Sequence, residues 1–245
     1  TITTRYHAYT HSIVSSRSIT DNVVNTIFSD ERGGLWLGSH HRGINFISKY
    51  SSNFKHKEYI PSFENINIVS AFKKDSKENL WLATDGGGLL YFDLENGWTS
   101  MFEHNKENSK SLASNNTLAL ELDNIGNLWI GLYNGGLDVY NTKTKKFSHH
   151  NHDPEDSTSI AHNIVWSLCR DSKNRMWAAT KNGLCLYQPE TDDFVRFTSN
   201  NTNLQNDDVR AVTEIDSTHF YVGTVDGFAI FDLPNRSFKT FFHSS

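Results

Sequence analysis

The sequence predicts an all-β fold, and three observations carry that expectation. Aromatic and β-branched residues gather in short alternating runs typical of half-buried strands, and no segment keeps the 3.6-residue apolar period of a helix. The phrase LWLGSHHRGINF at residues 35–46 returns as LWLATDGGGLLYF (80–92), LWIGLYNGGLDVY (128–140), MWAATKNGLCLY (176–187) and, more weakly, FYVGTVDGFAIF (220–231). The aromatic anchors Trp36, Trp81, Trp129, Trp177 and Tyr221 stand 45, 48, 48 and 44 residues apart. A repeat of that length, with room for four short antiparallel strands, describes a propeller blade, so the expected architecture is a β-propeller of five four-stranded blades.

The first 21 residues read as the outer strand of a preceding blade plus a linker, with Tyr6 and Tyr9 of RYHAYTH spaced like the aromatics of later fourth strands. A lone outer strand implies a fragment of a larger propeller array, since open sheet edges invite pairing with further blades. Blades follow at about 22–62, 63–113, 114–161, 162–205 and 206–245. Each opens with a strand that begins 12 residues before its anchor, at Val24, Val69, Thr117, Val165 or Val209. Six residues before the anchor stands Asp30, Asp75, Asp123 or Asp171, a short carboxylate able to accept N–H groups within a tight turn. The fifth module has Ile215 there, with Asp216 beside it. After the anchor strand come a glycine-containing turn, a third strand (INFI, LLYF, LDVY, LCLY, FAIF) and a fourth, clearest at Phe194 with Phe197 and Phe238 with Phe241. The anchor aromatics are expected to fill the space between neighbouring sheets.

Composition narrows the function classes. The net charge of −5 and the lack of any Lys/Arg run argue against nucleic acid, because nothing would neutralise consecutive phosphates. No apolar stretch approaches the roughly 18 residues needed to span a bilayer, so no membrane contact is expected of this segment. Cys169 and Cys185 are too few for a disulfide framework and read as small hydrophobes. The chain starts at Thr1 without a Met or signal-like segment, and reads as a processed chain or an excised piece.

The string DNIGNLWIGLYNGGL (123–137) and the linker HNHDPEDSTSIAHNIV (150–165) resemble the two-component regulator propeller repeat, and four of the five modules match that pattern well. The resemblance implies the extracytoplasmic, periplasmic sensor region of a Bacteroides-type hybrid two-component histidine kinase. Such receptors sense carbohydrate breakdown products and control polysaccharide-use genes. Their ectodomains carry many more repeats, usually two seven-bladed propellers, and signal as homodimers. The implied activity of this segment is recognition rather than phosphotransfer, with an oligosaccharide as ligand and further blades of the same polypeptide as neighbours.

In a propeller, the turns between second and third strands and the entries to the first strands share one rim, where rigid strands hold residues that are free to vary. The turns here carry His40, His41 and Arg42; Asp85; Tyr133 and Asn134; Lys181 and Asn182; and Asp226. The position 11 before each anchor is Asn25, Ser70, Leu118, Trp166 or Arg210. Unlike the framework, these residues differ in every module. His40, His41, Arg42, Asp85, Tyr133, Asn134, Trp166, Lys181, Arg210 and Asp226 are the candidate ligand residues, joining hydrogen-bonding groups to aromatic faces suited to a sugar.

Two other readings compete with a ligand site: an ordinary set of exposed turns, and a scaffold or dimerisation surface. No metal site or cofactor is expected, because adjacent His40 and His41 point to opposite faces of a strand and His149, His150, His152 and Asp153 fall at a strand end and in a linker. A propeller lyase or hydrolase fits worse. The rim offers only Asp85 and Asp226 as acids, on separate blades, and no GxSxG, Walker or HExxH pattern is present.

Overall fold

The computed structural model describes residues 8–15, 17–41, 43–51, 55–57, 68–93 and 97–241, with only the backbone described at 55–57 and 97–99. Strands account for all the regular structure among these residues, and there is no helix. Blade 1 comprises β1 (Val24–Ser29), β2 (Leu35–Ser39), β3 (Ile44–Ile47) and β4 (Lys55–Lys57). Blade 2 comprises β5 (Ile68–Lys74), β6 (Leu80–Asp85), β7 (Leu89–Asp93) and β8 (Gly97–Phe102). Blade 3 holds β9 (Thr117–Leu122), β10 (Asn127–Leu132), β11 (Leu137–Asn141) and β12 (Lys146–His150). Blade 4 holds β13 (Val165–Arg170), β14 (Met176–Thr180), β15 (Gly183–Gln188) and β16 (Asp193–Phe197). Blade 5 holds β17 (Val209–Glu214), β18 (His219–Thr224), β19 (Gly227–Asp232) and β20 (Ser237–Phe241). Within each sheet the strands pair antiparallel in sequence order, so the molecule is the five-bladed, four-stranded propeller that the repeat predicts.

The core lies between blades rather than within them. Trp36 packs with Leu80, Leu82 and Phe92 of the next blade, and Trp81 with Leu128, Ile130 and Tyr140. Trp129 meets Met176, Ala178 and Phe194, and Trp177 meets Phe220, Val222 and Phe231. Small residues in the second strands let the neighbour approach: a Cβ added at Gly131 would lie 2.8 Å from the Val165 carbonyl oxygen. The fifth anchor departs from the expectation. Tyr221 is 47% exposed, because its ring faces the side of blade 5 that no further sheet among the described residues covers. The innermost strands pack in succession from β1 to β5, β9, β13 and β17, and no comparable packing joins β17 to β1 among the described residues.

The turn aspartates do more than brace their turns. Asp30, Asp123 and Asp171 each accept the indole N–H of their own anchor, at 3.0, 3.1 and 2.9 Å, while the other carboxylate oxygen takes backbone N–H groups of the turn. Blade 2 breaks the rule. Asp75 instead accepts the Tyr91 hydroxyl at 3.1 Å, and the buried Trp81 Nε1 is left without a partner among the described residues. An orphaned buried donor of this kind costs about 1–3 kcal/mol.

Linkers dock in a repeated manner. Thr20 N donates to Asn45 and Ala113 N to Asp138, both at 2.8 Å, and Ala161 N lies 3.4 Å from Cys185 Sγ. In three linkers a histidine Nδ1 sits against the carbonyl eight residues on: His11 with Ile19, His104 with Leu112, His152 with Ile160. Residues 11–22 therefore fold like the later linkers. No strand is assigned at residues 8–12, and Tyr6, the other half of the expected outer-strand pair, lies outside the described residues. The histidines around position 150 serve separate tasks: His149 contacts Asp138 at 2.7 Å, His150 stacks on Trp129, and His152 closes its linker. Cys185 is buried, which pushes its thiol up to about 11, whereas Cys169 is half-buried.

Candidate functional site

The rim is made by the turns that join second to third strands and by the entries to the first strands. Backbone bonds clamp the two together. Tyr133 N donates to Asn116 O, Lys181 N to Ile164 O and Val225 N to Asp208 O within blades 3, 4 and 5. Across blades, Gly88 N, Gly136 N and Gly183 N donate to Asn115, Asn163 and Asp207 of the next unit. At Gly136, with φ of 75°, an added Cβ would lie 2.3 Å from the His150 carbonyl oxygen, so the turn admits no side chain there.

The variable position 11 residues before each anchor has a structural cause. In every blade the pairing of the first and second strands slips at that residue: Val24 faces Ser39 but Thr26 faces Gly38, and the same step skips Ser70, Leu118, Trp166 and Arg210. A residue in such a bulge is released from the sheet's alternation and re-aimed. The bulge turns this position into a presentation point at the rim.

The candidate residues fall into three groups. In blade 1, Asn25 Nδ2 lies 3.5 Å from His40 Nδ1, the two histidine rings meet edge-on at 4.3 Å, and His41 Nδ1 is 3.0 Å from Asp21. The Val23 N–H, together with His41, holds Asp21 below the usual carboxylate range. Arg42 lies outside the described residues. In blade 2, exposed Asp85 pairs through its backbone with Asn116.

Blades 3, 4 and 5 share the third group. Tyr133 approaches Trp166 at 6.1 Å in an edge-on geometry, and the Arg210 guanidinium lies 3.9 Å above the Trp166 ring. Asp208 ties the pair: it accepts the Trp166 indole N–H at 3.0 Å and both Nε and Nη2 of Arg210 at 2.7 Å. Tyr133 and Arg210 remain exposed, so the group presents an aromatic edge and a planar cation already braced for contact. Nearby, burial and then the Lys181 charge lower the His162 pKa. Asn134 occupies the left-handed region at φ 60°, shaping the Tyr133 turn. Asp226 stands apart, accepting from Asn206 Nδ2 at 2.5 Å. Sequence reasoning missed Asp208 and Asp21. Both precede first strands, and Asp208 sits two residues before Arg210, a spacing that signals a local carboxylate–guanidinium pair.

Comparison with known proteins places the fold. Residues 18–41 and 159–182 match the family model described as two component regulator propeller. Each matched segment contains a turn aspartate and its anchor tryptophan. No curated protein matches the chain. Among solved structures, it is similar to the extracellular domain described as that of a hybrid two component system, BT3049 from B. thetaiotaomicron, with 23% identity and a TM-score of 0.80, covering 94% of this chain and 30% of that one. It is also similar to PorZ, a surface component of the type-IX secretion system of Porphyromonas gingivalis, with 18% identity, a TM-score of 0.69 and coverage of 94% and 34%. Virginiamycin B lyase from Staphylococcus aureus shares the architecture at 12% identity, a TM-score of 0.66 and coverage of 89% and 69%. The chain thus spans about a third of the first two proteins' length. A fold shared by the extracellular domain of a two component system, a secretion component and a lyase leaves function to the site. Among the described residues, no helix is long and apolar enough to cross a membrane.

Proposed function

We propose that this chain is a periplasmic sensing segment of a hybrid two-component receptor, a histidine kinase in its full length, and that it recognises an oligosaccharide controlling polysaccharide-use genes. The reading rests above all on the cluster of Tyr133, Trp166, Asp208 and Arg210, which spans three blades at one rim. Its mechanism follows from that geometry. The guanidinium, with one face on Trp166, offers its outer edge to sugar hydroxyls, and the exposed Tyr133 ring offers apolar surface to a pyranose. Strands and clamped turns prepay the ordering cost, so binding energy goes into shifting receptor conformations. Calorimetry with a panel of polysaccharide fragments tests the reading. Trp166→Ala and Arg210→Ala should each weaken the best ligand by about tenfold or more, the loss expected for one buried contact. Unchanged affinity in both variants refutes it.

A scaffold or dimerisation role is favoured by a different feature. Tyr221, Phe228 and Phe241 lie exposed on blade 5, with Phe228 stacked on Phe241 at 4.8 Å and Tyr221 at 6.3 Å from Phe228. Such a patch suits another sheet, from further blades of the same polypeptide or from a second copy. Concentration-dependent association in light scattering, without any saccharide response, would select this role over sensing.

A further inference from the structure

Two interblade grooves of similar size lie at the end opposite the rim, and they differ in the state of the anchor indole. Between blades 3 and 4 the groove of about 690 Å³ is lined by Trp129, whose indole N–H is held by Asp123. Between blades 2 and 3 the groove of about 680 Å³ is lined by Trp81, Tyr91, Phe102 and Tyr140, and the Trp81 N–H has no acceptor among the described residues. The cause lies at the residue ten after the anchor. Phe46 and Val139 have no hydroxyl, and the Tyr187 hydroxyl donates to Asp192, but the Tyr91 hydroxyl takes the carboxylate oxygen that an indole claims in the other blades.

The mouth of this groove is cationic. Lys77, Lys143 and Lys145 line it, all exposed, and none of the three is in an ion pair among the described residues. The two carboxylates beside them are already committed. Asp75 accepts Lys77 N, Asn79 N and the Tyr91 hydroxyl, and Asp123 accepts Ile125 N, Asn127 N and the Trp129 indole. Lys145 also lies over the Tyr140 ring, at 5.9 Å. An aromatic-walled groove with ammonium groups outside any ion pair, and a donor lacking an acceptor among the described residues, matches a sugar ring that carries a carboxylate.

We propose that the groove between blades 2 and 3 is a second ligand site, taking a uronate-bearing saccharide whose ring packs on the half-buried Tyr91 and Phe102 and whose carboxylate meets Lys143 and Lys145. An acceptor reaches the Trp81 N–H after a side-chain adjustment at the wall, of the kind common on binding. The site is separate from the rim, and either can fail without the other.

Indole N–H resonances of the 15N-labelled 245-residue chain read out both places at once, with Trp81 and Trp166 assigned through Trp81→Phe and Trp166→Phe. Titration with trigalacturonate should shift the Trp81 signal and leave the Trp166 signal in place, while neutral maltotriose should leave Trp81 unmoved. The exposed double variant Lys143→Ala/Lys145→Ala should weaken the trigalacturonate response by about tenfold, and added salt should weaken it in the wild type. The proposal is overturned if Trp81 does not move by about 10 mM trigalacturonate, roughly ten times a 1 mM Kd. It is equally overturned if maltotriose moves Trp81 as far, if the double variant binds unchanged, or if only Trp166 responds.

Discussion

Trp177 and Trp166 stand on adjacent strands of blade 4, yet one is fully enclosed and the other is half-buried at the rim. Trp177 donates to Asp171 in its own blade and is surrounded by Phe197, Phe220 and Phe231. Trp166 sits in a bulge, donates to Asp208 of the next blade and carries Arg210 on its face. The same side chain serves as packing where the next sheet covers it and as a platform where a bulge lifts it out of the ladder. Tyr221 sharpens the lesson, since it holds an anchor position and is exposed for want of a covering sheet.

If coverage by the next blade is what matters, Trp177→Ala should show the largest effect. Loss of that ring should cost about 3–5 kcal/mol, read as a lower urea midpoint. A midpoint equal to wild type would break the comparison.

The next effect concerns a cross-strand pair between β11 and β12 of blade 3. Asp138 is fully buried and lies 2.7 Å from His149 Nδ1, a hydrogen bond that raises the His149 pKa, while burial raises that of Asp138. A raised histidine contributes stability that is complete below its unfolded value, about 6.5, and lost as pH rises through the folded value. Asp138 acts in the same direction, because its neutral form is the one burial favours. The wild-type Tm should therefore fall as pH rises above about 6.5, by some 2–4 °C if the contact is worth 1 kcal/mol in a chain of this size. His149→Gln should remove most of that slope in a thermal-shift series. Identical slopes would show that the contact carries no linkage.

The smallest effect is expected at the uncovered anchor. Tyr221→Ala should change stability by less than about 0.5 kcal/mol, as for an ordinary surface site. A loss approaching that of Trp177→Ala would mean that the exposed ring is covered in solution.

Much of the fold was legible because the framework is periodic. A blade cannot bury its own faces, so each must repeat the same strand lengths, turn aspartate and anchor aromatic to meet its neighbour. The first-strand starts at Val24, Thr117, Val165 and Val209 fall where the spacing puts them, and β5 begins one residue early at Ile68. The rim was legible only as a contrast between repeated and unrepeated positions. That contrast picked out Trp166 and Arg210 but gave no reason for their exposure, which comes from a pairing slip that only the ladder register reveals.

The sequence by itself determined the number of blades, the order of their strands and the anchors that fill the gaps, because these depend on spacing and side-chain type. Tertiary structure alone decided the rest. It brought Tyr133, Trp166 and Arg210 together across three blades while leaving His40, His41 and Asp226 in separate local contacts. It also left Tyr221 uncovered and Trp81 without an acceptor. The physical reason is the same in each case: a hydrogen bond or a ring contact depends on distance in space, and residues some 40 positions apart in this chain become neighbours only when one blade is laid against the next.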